Sequence, residues 1–180
     1  MKRQSFRGLF TTGVVATTLL LGTSTFAAVD MFLKIPGIDG ESTDEKHKNE
    51  IDVLAWSWGG SAGQGQGKNA TCIQDLSFTK YIDAATPGLI MNTVMGQVVP
   101  TATLVVRKAG GVQLEYLTLT MKNVTVSSYS TGGSGGEDRL TENVTLHFEK
   151  LEGKYQRQDP KGGAMGPPLE WEVSDGKGCQ

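Results

Sequence analysis

A mainly β fold, a single β-barrel of about eight short strands with one short α-helix, is the class this sequence predicts. Three observations predict it. Apolar and polar residues alternate with a period of two in run after run; 24 glycines punctuate those runs; and only one stretch carries the end signals of a helix. With 180 residues, 38% of them hydrophobic, one domain suffices.

The chain opens with a segment outside that domain. Lys2, Arg3 and Arg7 precede an uncharged stretch, 9–22, that ends in Leu19, Leu20 and Leu21 and gives way to small residues at 23–28. This is the three-part layout of a secretory signal peptide; Thr25 and Ala27 fit the small positions before the cut, so residues 1–27 are read as the signal and Ala28 as the mature start. A membrane anchor needs about 20 apolar residues. Lys2 and Arg3 only partly match a twin-arginine signal, which favours the general secretory route. The signal carries three cations and no acid, so its removal takes the formal net charge from −2 to −5. A mildly acidic chain without a Lys/Arg block lacks the clustered cations that displace counterions from a nucleic-acid backbone, and nucleic acid is not an expected partner.

Residues 28–180 form the predicted domain. Val29, Met31, Leu33 and Ile35 alternate with Asp30, Phe32 and Lys34, one side of a first strand. In 51–58, Leu54, Trp56 and Trp58 share one face while Ile51, Val53, Ala55 and Ser57 share the other, so this strand is expected to be covered on both sides. Further strands are expected at 73–79, 101–108, 112–121, 124–129, 140–150 and 169–173. The apolar phase is odd at Leu117, Leu119 and Met121 but even at Val124 and Val126; a bulge near Asn123 would let both sets face inward. Thr86 as N-cap, Pro87 at the first helical position and Gly96 as C-cap frame the helix, with Leu89, Ile90 and Val94 as its apolar stripe. The Gly- and Pro-rich end, 159–180, is expected to be partly flexible apart from its strand.

Chemistry is sparse. His47 lies in the polar stretch 40–50, and His147 alternates with Asn143, Thr145 and Glu149 on the polar side of a strand; neither has a second ligand at metal spacing. Asp39, Glu41, Asp44, Glu45 and Glu50 lack the spacing of a calcium loop and alternate with Lys46 and Lys48, so a solvated charged loop is expected there. No H-E-x-x-H, C-x-x-C or G-x-S-x-G motif occurs, and no catalysis, cofactor or metal is expected. Sequons begin at Asn69, Asn123 and Asn143, the threonines of the last two falling in expected strands, and the threonines are read as strand formers. Cys72 and Cys179 suit an oxidising compartment, but sequence leaves internal, intermolecular and absent bonds all open. The glycine-rich stretches 59–67 and 132–136 lie between strands, which makes them loops rather than phosphate cradles. Ordering by a partner is a reason to keep such loops.

Residues 28–35 (AVDMFLKI), 51–59 (IDVLAWSWG), 74–83 (QDLSFTKYID) and above all 130–146 (STGGSGGEDRLTENVTL) resemble the haemolysin-coregulated protein (Hcp) family of bacterial type VI secretion systems, in the family's order and over most of 28–155. The resemblance implies a β-barrel with one helix that assembles into six-membered rings, stacked as a hollow tube inside a contractile sheath and carried by a spike. The tube and its effector cargo leave the cell. With Trp56 and Trp58 packed inward, the pleat turns Ser57 the opposite way, toward a neighbouring subunit or the lumen, and Ser57 is assigned to the lumen and its cargo. By the resemblance, Gly60, Gly63 and Gly65 belong to an arm touching a neighbouring subunit or ring. Glu137, Asp138 and Arg139 are assigned to a subunit interface, where Arg139 would meet a carboxylate of the next subunit. The leader departs from the family, whose members lack a cleavable signal; either the chain is exported in its own right or the start is mis-assigned, and the charged, apolar and small segments in order favour export. The competing reading is a stand-alone secreted binding module, an adhesin or effector; a secreted hydrolase is a third.

Overall fold

The computed structural model describes residues 29–63, 70–110, 113–136 and 138–174. The leader, Gly65, Asn69, Glu137 and Cys179 lie outside the described residues. The strands are β1 (Val29–Lys34), β2 (Ile51–Asp52), β3 (Ala55–Ser57), β4 (Gly60–Gly63), β5 (Ala70–Ile73), β6 (Leu76–Tyr81), β7 (Val98–Lys108), β8 (Glu115–Gly132), β9 (Thr141–His147), β10 (Lys150–Tyr155) and β11 (Leu169–Ser174), with one helix, α1 (Thr86–Met95).

The fold is mainly β, but the expected closed barrel is corrected to an open sheet. Strands run antiparallel in the order β2, β1, β7, β8, β9, β6, β3, with β10 and then β11 branching from β8. The two ends, β2 and β3, are consecutive pieces of chain. Val53 donates its N–H to Met31 on β1, and Leu54 donates to Thr79 on β6, so the segment changes partner edge midway. That explains the two-sided apolar pattern of 51–58: Ile51 and Val53 are buried, Leu54 is exposed, and Trp56 and Trp58 pack partly buried against the core.

β8 explains why two strands were expected where one exists. It is 18 residues long and bends at Asn123, whose φ of 52° is left-handed. Asn tolerates this conformation better than most residues. The phase switch is as the sequence requires, because Leu119, Met121, Val124 and Val126 are all buried. The expected extra residue is absent: Thr101 opposite Lys122 and Val99 opposite Val124 keep one register through the bend. The shifts fall at Val106/Arg107 and Val126/Ser128. Along the other side of β8, β9 pairs beyond the bend and β10 before it, so the expected 140–150 strand breaks where Phe148 turns into the core. The sheet is thus creased into two limbs.

The helix is also shifted. Ala85, not Thr86, is the N-cap and makes no side-chain cap bond; Gly96 ends the helix at φ 59°, its N–H on the carbonyl of Asn92. Thr86 is drawn into a different task, described below. Of the expected stripe only Leu89 is buried, while Ile90 is part-exposed and Val94 largely bare. Residues 60–63 and 70–73 pair as a hairpin apart from the main sheet, so half of the first glycine-rich loop is strand. Cys72 on β5 is disulfide-bonded.

The stretch 40–50 is solvated as expected at Glu41, Glu45, Lys46 and Lys48, which are exposed, but not throughout. It folds over the outer face of β1 and β7, where Ser42 and His47 are buried. Asp44 grips buried Arg107 with both oxygens, at 3.0 and 2.6 Å, while Asp30 takes the same guanidinium at 2.8 Å. Phe32 lies beneath Arg107, ring to cation 4.9 Å, and stacks on His47 at 4.3 Å. The hydrogen bond from Arg107 holds the Asp44 carboxyl well below the usual carboxylate range. Gly40 is needed here, since a Cβ would lie 2.5 Å from the Glu50 carbonyl oxygen.

Candidate interaction surface

The limb formed by β3, β6, β9 and the second half of β8 has its pleat set by burial. Phe78, Val144 and Leu146 point inward, with Trp56 and Tyr129 packed beside them. The alternate positions therefore face out. Ladder pairing aligns them in two rows across the strands: Ser57, Ser77, Thr145 and Ser128 in one, Ala55, Thr79, Asn143 and Ser130 in the next. Neither row contains a charge or a large apolar side chain. Ser77 and Thr145 share a hydrogen bond of 3.1 Å, and Thr79 donates to Asn143 at 2.7 Å. A hollow of about 230 Å³ lies between Ser57, Ser77, Thr79 and Asn143, with Trp56 and Phe78 also in its lining.

Charges sit at the two ends. At one, His147 Nδ1 lies 2.9 Å from Asp75, which also accepts the Ser127 hydroxyl at 2.7 Å. At the other, Arg139 lies 4.2 Å over the ring of Tyr81. Ser57 is therefore exposed on β3 and borders the hollow. Asp138 and Arg139 are exposed beyond the Tyr81 end, and Arg139 has a partner within its own chain. Gly60 and Gly63 are the first and last residues of β4.

Beneath the neutral face lies what sequence reading missed. Lys80 and Glu142, cross-strand neighbours on β6 and β9, are fully buried. Lys80 Nζ meets Asp83 at 2.6 Å and Glu142 at 2.8 Å, and donates to the Tyr81 carbonyl at 2.8 Å. The other Glu142 oxygen accepts from Thr86 and Tyr129, each at 2.9 Å. This is the task that takes Thr86 from the cap. Burial first, then the hydrogen bond to Glu142 and its charge, pushes the Tyr129 hydroxyl up to about 12. A signal existed: both ions stand in the inward phase of Leu76–Phe78 and Val144–Leu146. Among the described residues no group of three or more His, Cys, Asp or Glu is gathered to hold a metal ion.

The described residues thus form an open β sheet with one helix, a separate hairpin and an uncharged polar face. Comparison with known proteins gives the family. Residues 32–155 match the family described as "Type VI secretion system effector, Hcp". The chain is 55% identical over 151 residues to protein hcp1 of Pseudomonas aeruginosa, covering 80% of this chain and 93% of that one. Among solved structures it is similar to Hcp1 from Salmonella typhimurium (38% identity, TM-score 0.67, 83% of this chain and 96% of that). It is also similar to a type VI secretion system effector from Yersinia pestis (34%, 0.68, 81% and 99%). The chain belongs to the Hcp family of type VI secretion proteins.

Proposed function

We propose that this chain is a structural subunit of the type VI inner tube. It assembles into six-membered rings, stacks them within a contractile sheath, carries effector cargo in the lumen and is itself secreted without catalysing a reaction. The neutral face carries this reading: the limb that bears Ser57 turns hydroxyls outward and hides its charges, which suits a lumen wall. The β4–β5 hairpin, standing apart from the main sheet, is the arm that reaches a neighbouring subunit or ring through Gly60, Gly63 and Gly65. Glu137, Asp138 and Arg139 are assigned to a subunit contact, to which Arg139 belongs from its place over the ring of Tyr81.

Residues 1–27 are proposed as a cleaved signal peptide that takes the chain through the periplasm, and the disulfide at Cys72 fits an oxidising destination. The test is native mass spectrometry of protein from medium and periplasm, with the denatured mass alongside. Hexamers of subunits starting at Ala28 support both statements. Hexamers that retain 1–27 sink the signal peptide, whereas a stable monomer starting at Ala28 favours the stand-alone secreted module.

A further inference from the structure

We propose that the two-row hydroxyl face is a charge-blind cargo wall, which takes folded proteins through their uncharged polar surface whatever the sign of their net charge. The proposal rests on the tube reading, which turns this face inward, and it names the chemistry of what is carried.

The argument begins from where the charges of this limb went. β6 and β9 together contribute Lys80 and Glu142, and both are turned inside, where they oppose each other at 2.8 Å. At the Asp75 end the anion is met by His147, and at the Tyr81 end the Arg139 cation lies on a ring face. What remains between is a field of neutral donors and acceptors. Long-range attraction requires net charge or a one-signed cleft, and this surface offers neither. Hydroxyls both donate and accept, so Ser57, Ser128 and Ser130 can each answer a donor or an acceptor on the cargo. Ser77, Thr145, Thr79 and Asn143 are partly occupied with one another, which limits how tightly any one cargo group is held. The hollow beside Ser57 admits a side chain and gives the wall one point of shape. Contacts of this kind are exchanged readily with water, so a wall built from them holds by many weak bonds and releases without a trigger.

Such a wall makes a prediction about charge. Purified full-length rings are mixed with one small, stable globular domain in three forms: neutral parent, strongly acidic variant and strongly basic variant. The probe retained per ring is read by native mass spectrometry and fluorescence anisotropy across a salt series. Wild-type rings are expected to retain all three within about twofold of each other, with little change as salt is raised. Thr79→Glu rings are expected to prefer the basic probe about tenfold or more at low salt and to lose that preference at high salt; Thr79→Lys rings reverse the sign. Ser130→Glu and Ser130→Lys, at a more exposed position of the same row, repeat the test where Thr79 variants fail to fold.

Wild-type rings that sort acidic from basic probe as strongly as the charged variants overturn the proposal, and so do wild-type rings that retain no probe. Intact variant rings that keep the wild-type pattern also overturn it, because the face then does not meet cargo. Wild-type protein that forms no rings overturns the tube reading, and with it the wall.

Discussion

The two limbs of the creased sheet treat charge in opposite ways. On β3, β6 and β9, Lys80 and Glu142 are buried and the exposed face is neutral. On β10 and β11 the order is inverted: Leu151 is buried, and the outward face is a ladder of Lys150 against Glu152 and Glu172 at 3.1 and 2.9 Å, with Lys154 and Glu170 further along. The pairing rules and strand period are shared, so the difference lies only in which phase of the strand carries the ions. Charge in the inward phase must be fully partnered or it destabilises, whereas charge in the outward phase is answered by water. One limb therefore depends on its ions and the other merely displays them.

The sharpest way to break this contrast is Lys80→Met. It leaves Glu142 and Asp83 buried without their cation, and a loss of about 3–5 kcal/mol is expected in denaturant unfolding. Adding Glu142→Leu should recover part of that loss, because it removes one stranded carboxylate but leaves Asp83 without its cation and Thr86 and Tyr129 without their acceptor. A single variant within about 1 kcal/mol of wild type would show that the pair is not essential.

Next in size is Arg107→Met, which frees Asp44 and Asp30 on the face covered by 40–50. Because those carboxylates are partly exposed and can rehydrate, about 1–3 kcal/mol is expected, with faster amide exchange at Gly40, Ser42 and Asn49. The same variant changes the acid limb of stability. The folded-state pKa of Asp44 is depressed, so its contribution is present above the ordinary carboxylate range near 4 and is lost as pH falls below it. Arg107→Met should flatten that slope, and an unchanged acid midpoint would assign it elsewhere.

Tyr129 gives the alkaline counterpart. Its folded pKa is raised, so stability is intact below 10 and declines as pH rises toward about 12. Tyr129→Phe should remove this decline while costing about 1 kcal/mol at neutral pH for the bond to Glu142. A decline that persists in the variant would count against the assignment. The smallest effect belongs to the displayed ladder: Lys150→Met should leave the thermal midpoint unmoved within error at physiological salt, and a drop of several degrees would erase the distinction between the limbs.

Which parts were legible follows the same division. Period-two runs place the strands well because burial on one face leaves a pattern in the chain, and the inward phase change around Asn123 could be read from Leu117 to Val126. Its cause could not, since a left-handed residue and an inserted residue leave the same mark. At 51–58 two short strands on opposite edges imitate one strand covered on both faces. In 40–50 the exposed charges Glu41, Glu45, Lys46 and Lys48 match the solvated loop, but the role of Asp44 is hidden until Arg107, more than 50 residues away, is brought beside it. The inward tryptophans turn Ser57 to the opposite side of its strand, but the row it belongs to needs the pairing of β6, β9 and β8. Lys80 and Glu142 were legible in principle and overlooked, because an ion in an apolar phase is easily taken for an exception.

The crossing at Val53 and Leu54 has a mechanical meaning. The gap between the two ends of the sheet is spanned by the peptide chain itself, and two residues reach no further than about 7 Å. Among the described residues no hydrogen-bonded ladder joins the β1 edge to the β6 edge, so a load that pulls them apart must draw a covalent tether taut or strip β2 or β3 from its neighbour. The seam between the two ends of the sheet is a covalent stitch.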